Sequence, residues 1–498
     1  MAPQHRVIDA GASDPVLRGA IGHDEGVDLT AATAQELSAA IADRSVSCRE
    51  VMAAHLDRIE EQNPEVNAII SLRDRDELMA EAAVADEDLV AGRWRGWMHG
   101  FPHAVKDLAE AAGLRTTLGS PLLSEWVPTY DALQVARIRA QGAIIIAKTN
   151  VPEFGLGSHT FNPVFGTTRN AVDPSRTAGG SSGGAAVALA TGMVPVADGS
   201  DFMGSLRNPA AFNGVVGFRP SQGRVPAYPM RNAYTSQCAT EGPMARNVAD
   251  AARLLGTQAG WDPRAPLSIA GDLSELATAD GVAAALQGDP AELRIGWLGD
   301  LSGHLPFDPG VLDICAAALH HGAGAGVQVV EAGIGIDLDR VWTAWLHWRQ
   351  AAMSATISAY LGDTGSRALV KDEALWEMDS GAALTAGEFT AAAETRTRFY
   401  GAMLAALADV DVLAVPSAQV WPFPVEQRWP ERVGGREMDT YHRWMEVTLY
   451  ATFAGLPAVS LPVGRGDTGL PMGIQLIGHP LGDVATLRAA AIMERILS

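Results

Sequence analysis

Residues 177–186 have the sequence TAGGSSGGAA, in which four glycines surround Ser181 and Ser182 ahead of an Ala-rich helical stretch. Glycine lets backbone N–H groups turn toward a ligand. A phosphate-binding loop would end in GK[ST], which is missing here. The GxSxG pattern of a nucleophile elbow is present around Ser182, but residues 170–178 before it do not have the pattern of a strand. Taken alone, the stretch also fits a Gly-rich helix entry without chemistry.

The sequence around this stretch alternates between strand and helix patterns. From Pro102 to Pro220, short apolar runs (IIIAKTN, MVPVADGS, VVGFRP) are separated by Gly-rich turns. Helical spacing occurs at 132–141 and 185–191. This alternation predicts an α/β fold.

The remaining segments extend the same pattern toward both ends of the chain. Residues 1–28 lack periodicity and predict an N-terminal arm, while 33–43 and 47–62 predict helices behind Thr and Ser caps. Residues 262–292 predict a variable excursion rich in Ala, Asp and Gly. Helices are expected over 338–407. Further strands are predicted at LRIGWL, VQVVEAG, VDVLAVPSA, PAVSLPVG and MGIQLIG, before a terminal helix from Asp483.

Composition limits the classes of function. The 498 residues carry 37 basic and 58 acidic side chains, a net charge of −21, and 47% of them are apolar. This balance argues against nucleic acid, anionic membrane surfaces and disorder. The isolated Cys48, Cys238 and Cys315 support neither a disulfide framework nor a thiolate zinc site. With no signal-peptide pattern, we expect a cytoplasmic protein.

Two further segments carry side chains suited to catalysis. In GSDFMGSLRNPAAFNGVVGFRP, residues 199–220, Ser205 lies between a strand-like run and a helix-like run, two residues before Arg207. In HGFPHAVKDLAE, residues 99–110, Lys106 directly follows a short apolar stretch. Lys106 is therefore less suited to a solvated surface position than most lysines.

With these segments the chain resembles the amidase signature family, whose apparatus is a serine, a second serine after a cis peptide, and a lysine. Other landmarks of the family follow in order: AKTNVPEFGLGS at 147–158, GFRPSQGRVP at 217–226, EGPMARNVADAARLL at 241–255, AGLPAVSLPVG at 454–464 and LPMGIQLIG at 470–478. The resemblance implies one large α/β domain over 29–498, with a twisted mixed sheet between helices. It is weakest over 262–440, where substrate choice is expected to be encoded.

The resemblance also implies a role for each member of the triad. Ser205 would be the nucleophile, and Ser181, after a cis Gly180–Ser181 peptide, would pass its proton to Lys106. Lys106 must then be neutral, so burial and hydrogen bonds must lower its pKa from ~10.4 to near 7.

The surrounding residues would stabilise the reacting groups. Backbone N–H groups of Phe202, Met203, Gly204 and Ser205 would bind the oxyanion. Ser182, Asp201 and Arg207 match polar positions that brace the cluster in relatives. Their alternative interpretation is that of ordinary helix-entry and surface residues.

Met203 departs from the family, which usually has two glycines before the nucleophile. If this position requires positive φ, Met203 would be strained. Phe202 and Met203 either pack into the core or border the substrate pocket and make it apolar.

Two other patterns have alternative explanations. His99 and His103 are four residues apart, but the intervening proline disfavours a shared helix face, so no metal site is predicted. Trp342, Trp345 and Trp348 form a helical stripe that predicts core packing or an aromatic wall of the acyl pocket.

The resemblance therefore implies a serine amidohydrolase that cleaves a carboxylic amide C–N bond through an acyl-enzyme, without metal or organic cofactor. The apolar residues before Ser205 favour uncharged bulky or aryl amides as the small-molecule partner. A carbamate or ester hydrolase, a member of a glutamine-dependent amidotransferase complex and an inactive binder are the alternatives. At the family level, a homodimer is expected, with no nucleic-acid or membrane partner.

Overall fold

A computed structural model describes residues 28–235, 237–271, 273–361 and 365–498. The predicted N-terminal arm, residues 1–28, lies outside this range except for Asp28, whose carboxylate pairs with Arg58 at 2.9 Å.

The two helices that open the described chain begin where the capping residues predict. The Thr33 side chain accepts a hydrogen bond from the Glu36 amide and that of Ser47 from the Glu50 amide, each within a capping box. Both predicted helices are confirmed. The helices are α1 Ala34–Ala42, α2 Cys48–Val66, α3 Arg75–Val90, α4 Leu133–Ala140, α5 Gly183–Ala190, α6 Arg207–Asn213, α7 Val248–Gln258, α8 Ala279–Ala285, α9 Val311–Gly324, α10 Leu338–Ser358, α11 Asp372–Ala383, α12 Ala386–Leu407, α13 Leu449–Ala454 and α14 Asp483–Leu497.

The strands of the described residues form a large mixed sheet, a smaller three-stranded sheet and two short two-stranded sheets, β4-β5 and β12-β13. Their bounds are β1 Ile69–Ile70, β2 Pro102–Lys106, β3 Ile144–Thr149, β4 Phe161–Asn162, β5 Gly166–Thr167, β6 Ala197–Asp201, β7 Val216–Arg219, β8 Thr240–Ala245, β9 Arg294–Trp297, β10 Gln328–Glu331, β11 Val412–Pro416, β12 Arg432–Val433, β13 Arg436–Glu437, β14 Ala458–Arg465 and β15 Pro471–Gly478. The eight-stranded sheet has the order β10-β9-β11-β15-β14-β7-β8-β6, and the three-stranded sheet the order β1-β3-β2. In the large sheet β10, β9 and β11 pair in parallel and the others antiparallel.

Helices cover both faces of the large sheet. A Cβ on Gly473 of β15 would meet Ala211 of α6, whereas one on Gly478 would meet Thr486 of α14. Because successive residues of a strand point to opposite faces, α6 and α14 lie on opposite sides of the sheet. The predicted α/β fold in a single large domain is confirmed, and one continuous apolar core extends from Ala34 to Met493.

The segments that the sequence predicted in least detail also contain helices. Residues 262–292, predicted as a variable excursion, contain the short helix α8. The helices α10, α11 and α12 fill the stretch predicted to be helical over 338–407. Within the described ranges, no helix combines the length and the hydropathy that a membrane crossing requires.

Candidate active site

Lys106 is the last residue of β2 and is buried, with 1% of its surface exposed. Its Nζ lies 2.9 Å from Ser181 Oγ, 2.7 Å from Ser182 Oγ, and 2.9 and 3.1 Å from Oγ and the carbonyl oxygen of Ser200. The structure thus brings the predicted lysine and the predicted relay serine into direct contact, and four serine oxygen atoms surround the lysine amine.

Burial lowers the pKa of Lys106 to about 8, because the charged form loses its hydration. The carboxylates of Glu241, Asp198 and Asp201 oppose this shift by favouring the ammonium form. About a tenth of the amine is therefore neutral at pH 7, far more than for an ordinary lysine.

Ser181 lies in a tight turn ahead of α5. The Gly180–Ser181 peptide is cis, which confirms the bond that the family resemblance implied. The turn is held by Ser158, whose Oγ donates to the carbonyl oxygen of Gly180 at 2.6 Å. The following residue, Ser182, donates its N–H to the carbonyl oxygen of Ser205 at 3.3 Å, which joins the two serine segments.

Ser205 lies between β6 and α6 in a turn built on the Asp201 side chain. Asp201 Oδ1 accepts the N–H of Gly204 at 2.8 Å, and Oδ2 accepts that of Leu206 at 3.3 Å. The Gly204 amide, one of the predicted oxyanion donors, is therefore committed to the turn. The amides of Phe202, Met203 and Ser205 stay as the predicted donors.

Asp201 is also the centre of a buried ion cluster. Arg207 Nε donates to Oδ2 at 2.9 Å and Arg219 Nη1 to Oδ1 at 3.2 Å, and all three side chains are fully buried. Burial raises the pKa of Asp201, but the two guanidinium groups outweigh it and hold that pKa well below its usual range. Arg207 also donates hydrogen bonds to Gln475 Oε1 of β15 at 2.7 Å and to Thr452 Oγ1 of α13 at 2.9 Å. Asp201 and Arg207 thus connect the nucleophile segment to the sheet.

The backbone before Ser205 requires glycine at one position only. Gly204 has φ 89°, and a Cβ there would lie 2.5 Å from Thr448 Oγ1. Met203 is absent from the described residues with positive φ, so its side chain causes no backbone strain. The Met203 side chain is buried in the main core, which favours the core-packing interpretation.

Phe202 lies at the edge of the core rather than inside it. Its ring is 5.1 Å from that of Trp345 and 5.4 Å from the guanidinium carbon of Arg349. Trp342, Trp345 and Trp348 are all buried, so the predicted core packing of the stripe is confirmed.

A second apolar cluster borders the serine turn from the other side. A Cβ on Gly155 would lie 3.5 Å from Ser181 Oγ. The neighbouring Phe154, which has φ 53°, stacks its ring on Tyr360 at 5.8 Å, and Leu156 packs with Ile357 of α10. An apolar cluster therefore borders the turn that carries Ser181.

Three polar residues of the site were missed by the sequence reasoning. Asp198 Oδ1 contacts His103 Nε2 at 3.0 Å and the Lys106 amide at 3.3 Å. Ser200 and Ser158 contact the lysine and the serine turn. The alternation of Asp198 and Ser200 along β6 is a signal that could have identified two of them.

Comparison with known proteins gives consistent similarities. The family model described as Amidase matches residues 50–487. The chain is 37% identical over 494 residues to a glutamyl-tRNA(Gln) amidotransferase subunit from Acidothermus cellulolyticus, covering 94% of each protein. It is 33% identical to an acylamidase of Rhodococcus erythropolis, covering 93% of this chain and 95% of that protein. A bacterial aryl acylamidase of solved structure superposes with a TM-score of 0.86 at 29% identity, over 93% of this chain and 96% of that one.

Gly204→Ala should lower the free energy of unfolding by about 1–3 kcal/mol, because alanine disfavours the positive φ of this position and its methyl group would overlap Thr448. Gly401→Ala is the matched control, since a Cβ at this α12 position meets no atom within 4 Å. The control should stabilise by up to about 1 kcal/mol through helix propensity. Urea denaturation measures the free energy of unfolding of both variants. Equal effects of the two changes would contradict the constraint at Gly204.

Asp201→Asn should lower the free energy of unfolding by about 3–5 kcal/mol, because two buried guanidinium groups lose their counter-charge. The exposed pair Arg367–Asp379, at 2.8 Å, provides the control: Asp379→Asn should cost less than about 1 kcal/mol. Because the folded-state pKa of Asp201 is depressed, its contribution is present above about pH 4 and is lost on acidification below it. A change below about 1 kcal/mol for Asp201→Asn would show that the cluster is dispensable.

Proposed function

The chain belongs to the amidase family, and from this we propose that it is a serine amidohydrolase that cleaves a carboxylic amide C–N bond through an acyl-enzyme on Ser205. The observation that carries the proposal is the buried Lys106 amine, 2.9 Å from Ser181 Oγ and low in pKa. A lysine in that state acts as a base, which an ordinary surface lysine cannot do at neutral pH.

In the proposed acylation, neutral Lys106 takes the proton of Ser181 while Ser181 takes that of Ser205. Ser205 Oγ attacks the amide carbon, and the amides of Phe202, Met203 and Ser205 are the donors to the resulting oxyanion. The proton returns through Ser181 to the leaving nitrogen as the C–N bond breaks. Water then repeats the sequence on the ester and releases the carboxylic acid and Ser205.

The oxygen atoms that surround the Lys106 amine suit a proton relay. The amine has four oxygen neighbours within 3.1 Å, and three of them are hydroxyl oxygens that can donate as well as accept. The neutral amine accepts one hydroxyl proton through its lone pair, and the ammonium form donates to the same oxygens. The site therefore supports both protonation states of the lysine.

For the substrate, we propose uncharged amides with a bulky or aryl group. The partly buried Phe202 ring, backed by the buried Trp345, lies in the segment of Ser205, and the partly buried Phe154 and Tyr360 rings stack beside the Ser181 turn. Apolar walls gain free energy from burying apolar substrate surface. The same acyl-enzyme chemistry serves carbamates and esters, so a screen of all three bond types with the purified protein distinguishes these candidates.

Membership of a glutamine-dependent amidotransferase complex is the second candidate, because the 37% identity to a protein of that kind favours it. Copurification with partner proteins and release of ammonia from glutamine would support that candidate. Turnover of aryl amides by the isolated chain, without glutaminase activity, would exclude it. We place the enzyme in the cytoplasm, where the buried free thiols Cys48, Cys238 and Cys315 remain reduced. A homodimer is the assembly to test by light scattering.

Ser205→Ala should abolish labelling by a fluorophosphonate and lower kcat for amides at least about a thousandfold, since the nucleophile is removed. Ser380→Ala, on α11, is the control and should be labelled like the wild type. Labelling is followed by intact-protein mass spectrometry. A labelled Ser205→Ala variant would refute the assignment of the nucleophile.

Lys106→Ala should lower kcat/KM for an anilide by about 100- to 10,000-fold, because both proton transfers are lost. The loss should be at least about tenfold smaller for a nitrophenyl ester, whose leaving group needs no proton. Parallel kinetics on the two substrates test this. An identical loss on both would indicate that Lys106 acts only structurally.

The kcat/KM for amides should rise with pH through an apparent pKa near 8, because the active form carries neutral Lys106. Below that pH the ammonium form dominates and activity falls about tenfold per pH unit. Measuring kcat/KM from about pH 5 to about pH 10 tests this rise. A flat profile would count against the lysine relay.

A further inference from the structure

Lys106 is bound at both its backbone and its amine by one strand, β6. Ser200 contacts the amine through its Oγ at 2.9 Å and through its carbonyl oxygen at 3.1 Å. Two residues earlier, Asp198 accepts the backbone N–H of Lys106, with 3.3 Å to each carboxylate oxygen. Since residues two apart in a strand share one face, both side chains come from the same face of β6.

The backbone N–H of Lys106 points away from the sheet to which β2 belongs. The strand β2 lies at the edge of the three-stranded sheet, and β6 lies at the edge of the eight-stranded sheet. The next amide along the chain, that of Asp107, donates to the Thr149 carbonyl of β3 at 3.1 Å. Successive amides of a strand point in opposite directions, so the Lys106 amide faces β6. Asp198 thus satisfies a buried N–H that would otherwise cost free energy.

Asp198 is bonded to the same strand a second time, through His103. His103 Nε2 lies 3.0 Å from Asp198 Oδ1, and both side chains are fully buried. A carboxylate only accepts hydrogen bonds, so Nε2 carries the hydrogen and donates it. The other ring nitrogen, Nδ1, has no hydrogen-bond partner among the described residues. The carboxylate therefore joins the end of β2 to β6 at two points, three residues apart.

The position of the Lys106 backbone matters because the relay distances are short. Nζ lies 2.9 Å from Ser181 Oγ and 2.7 Å from Ser182 Oγ. Proton transfer requires heavy atoms about 2.6–3.2 Å apart. A misplacement of about 1 Å can cost about a hundredfold in rate. A shift of the end of β2 away from β6 would therefore take the amine out of reach of the serines.

We propose that Asp198 is a positioning residue for the reaction: it holds the backbone of Lys106 against β6, so that the amine meets Ser181 at hydrogen-bond distance. The proposal rests on the proposed function, since it requires Lys106 to act in the relay. Asp198 acts through the lysine and needs no contact with the substrate in this role.

The test is Asp198→Asn, which keeps the shape but offers one acceptor oxygen to two donors, the Lys106 amide and His103. The kcat/KM for an anilide should fall about 10- to 100-fold, because the amine is displaced from Ser181. The loss on a nitrophenyl ester, whose leaving group needs no proton, should be at least about threefold smaller. KM should change less than about twofold, since no substrate contact is removed.

The rates are compared at about pH 9.5, above the pKa of Lys106, which is about 8. The Asp198 carboxylate favours the ammonium form, so its removal lowers that pKa further. At this pH the amine is therefore mostly neutral in every variant, and the comparison reports position rather than charge.

Asp250→Asn is the matched control. Asp250 is also a buried carboxylate that accepts backbone amides, from Ala34 at 2.9 Å and Gln35 at 3.1 Å, but it joins α7 to α1. This change should lower the free energy of unfolding and leave the ratio of anilide to ester rates at the wild-type value. Urea denaturation of each variant measures its stability.

His103→Leu, which removes the second donor to Asp198, should lower the anilide-to-ester ratio in the same direction and carries the test if Asp198→Asn is unstable. A wild-type ratio in the folded Asp198→Asn variant, or an equal fall in Asp250→Asn, would overturn the proposal. A wild-type enzyme without amide turnover, or a Lys106→Ala variant without a selective loss on the anilide, would instead refute the proposed function.

Discussion

The carboxylate of Asp201 holds two buried guanidinium groups and, on the same two oxygens, the amides of the turn that carries Ser205. A buried ion of this kind is tolerated only when its partners satisfy it completely, so the turn, β7 and α6 are fixed together. The conformation of the largely buried segment that carries Ser205 is thereby set by electrostatics within the core. Gly204 meets the one backbone requirement that this arrangement imposes.

The strand β6, which ends at Asp201, also contacts the lysine. Ser200, one residue before Asp201, contacts the Lys106 amine, so a single strand contacts the lysine and anchors the segment that carries Ser205. The aromatic ring behind Phe202 comes from another element, because Trp345 lies on α10.

Much of the fold could be predicted from local sequence. The caps at Thr33 and Ser47 and the alternating strands have short-range causes, and the family motifs identified the lysine and both serine segments. Contacts between strands that are distant in sequence could not be predicted. The register that places Glu241 opposite Ser200, for example, depends on the whole sheet. Whether Met203 packs in the core was equally undecidable, since that depends on its φ and on neighbours far away in sequence.

The oxygens around Lys106 outnumber the hydrogens that its ammonium form can offer. Nζ has four oxygen neighbours, and an ammonium group has three N–H bonds. The hydroxyls of Ser181, Ser182 and Ser200 can therefore exchange hydrogen-bond partners by rotation about their C–O bonds. Rotation of these hydroxyls is therefore a way for the site to adjust its hydrogen bonds to the charge of the lysine while the heavy atoms keep their positions.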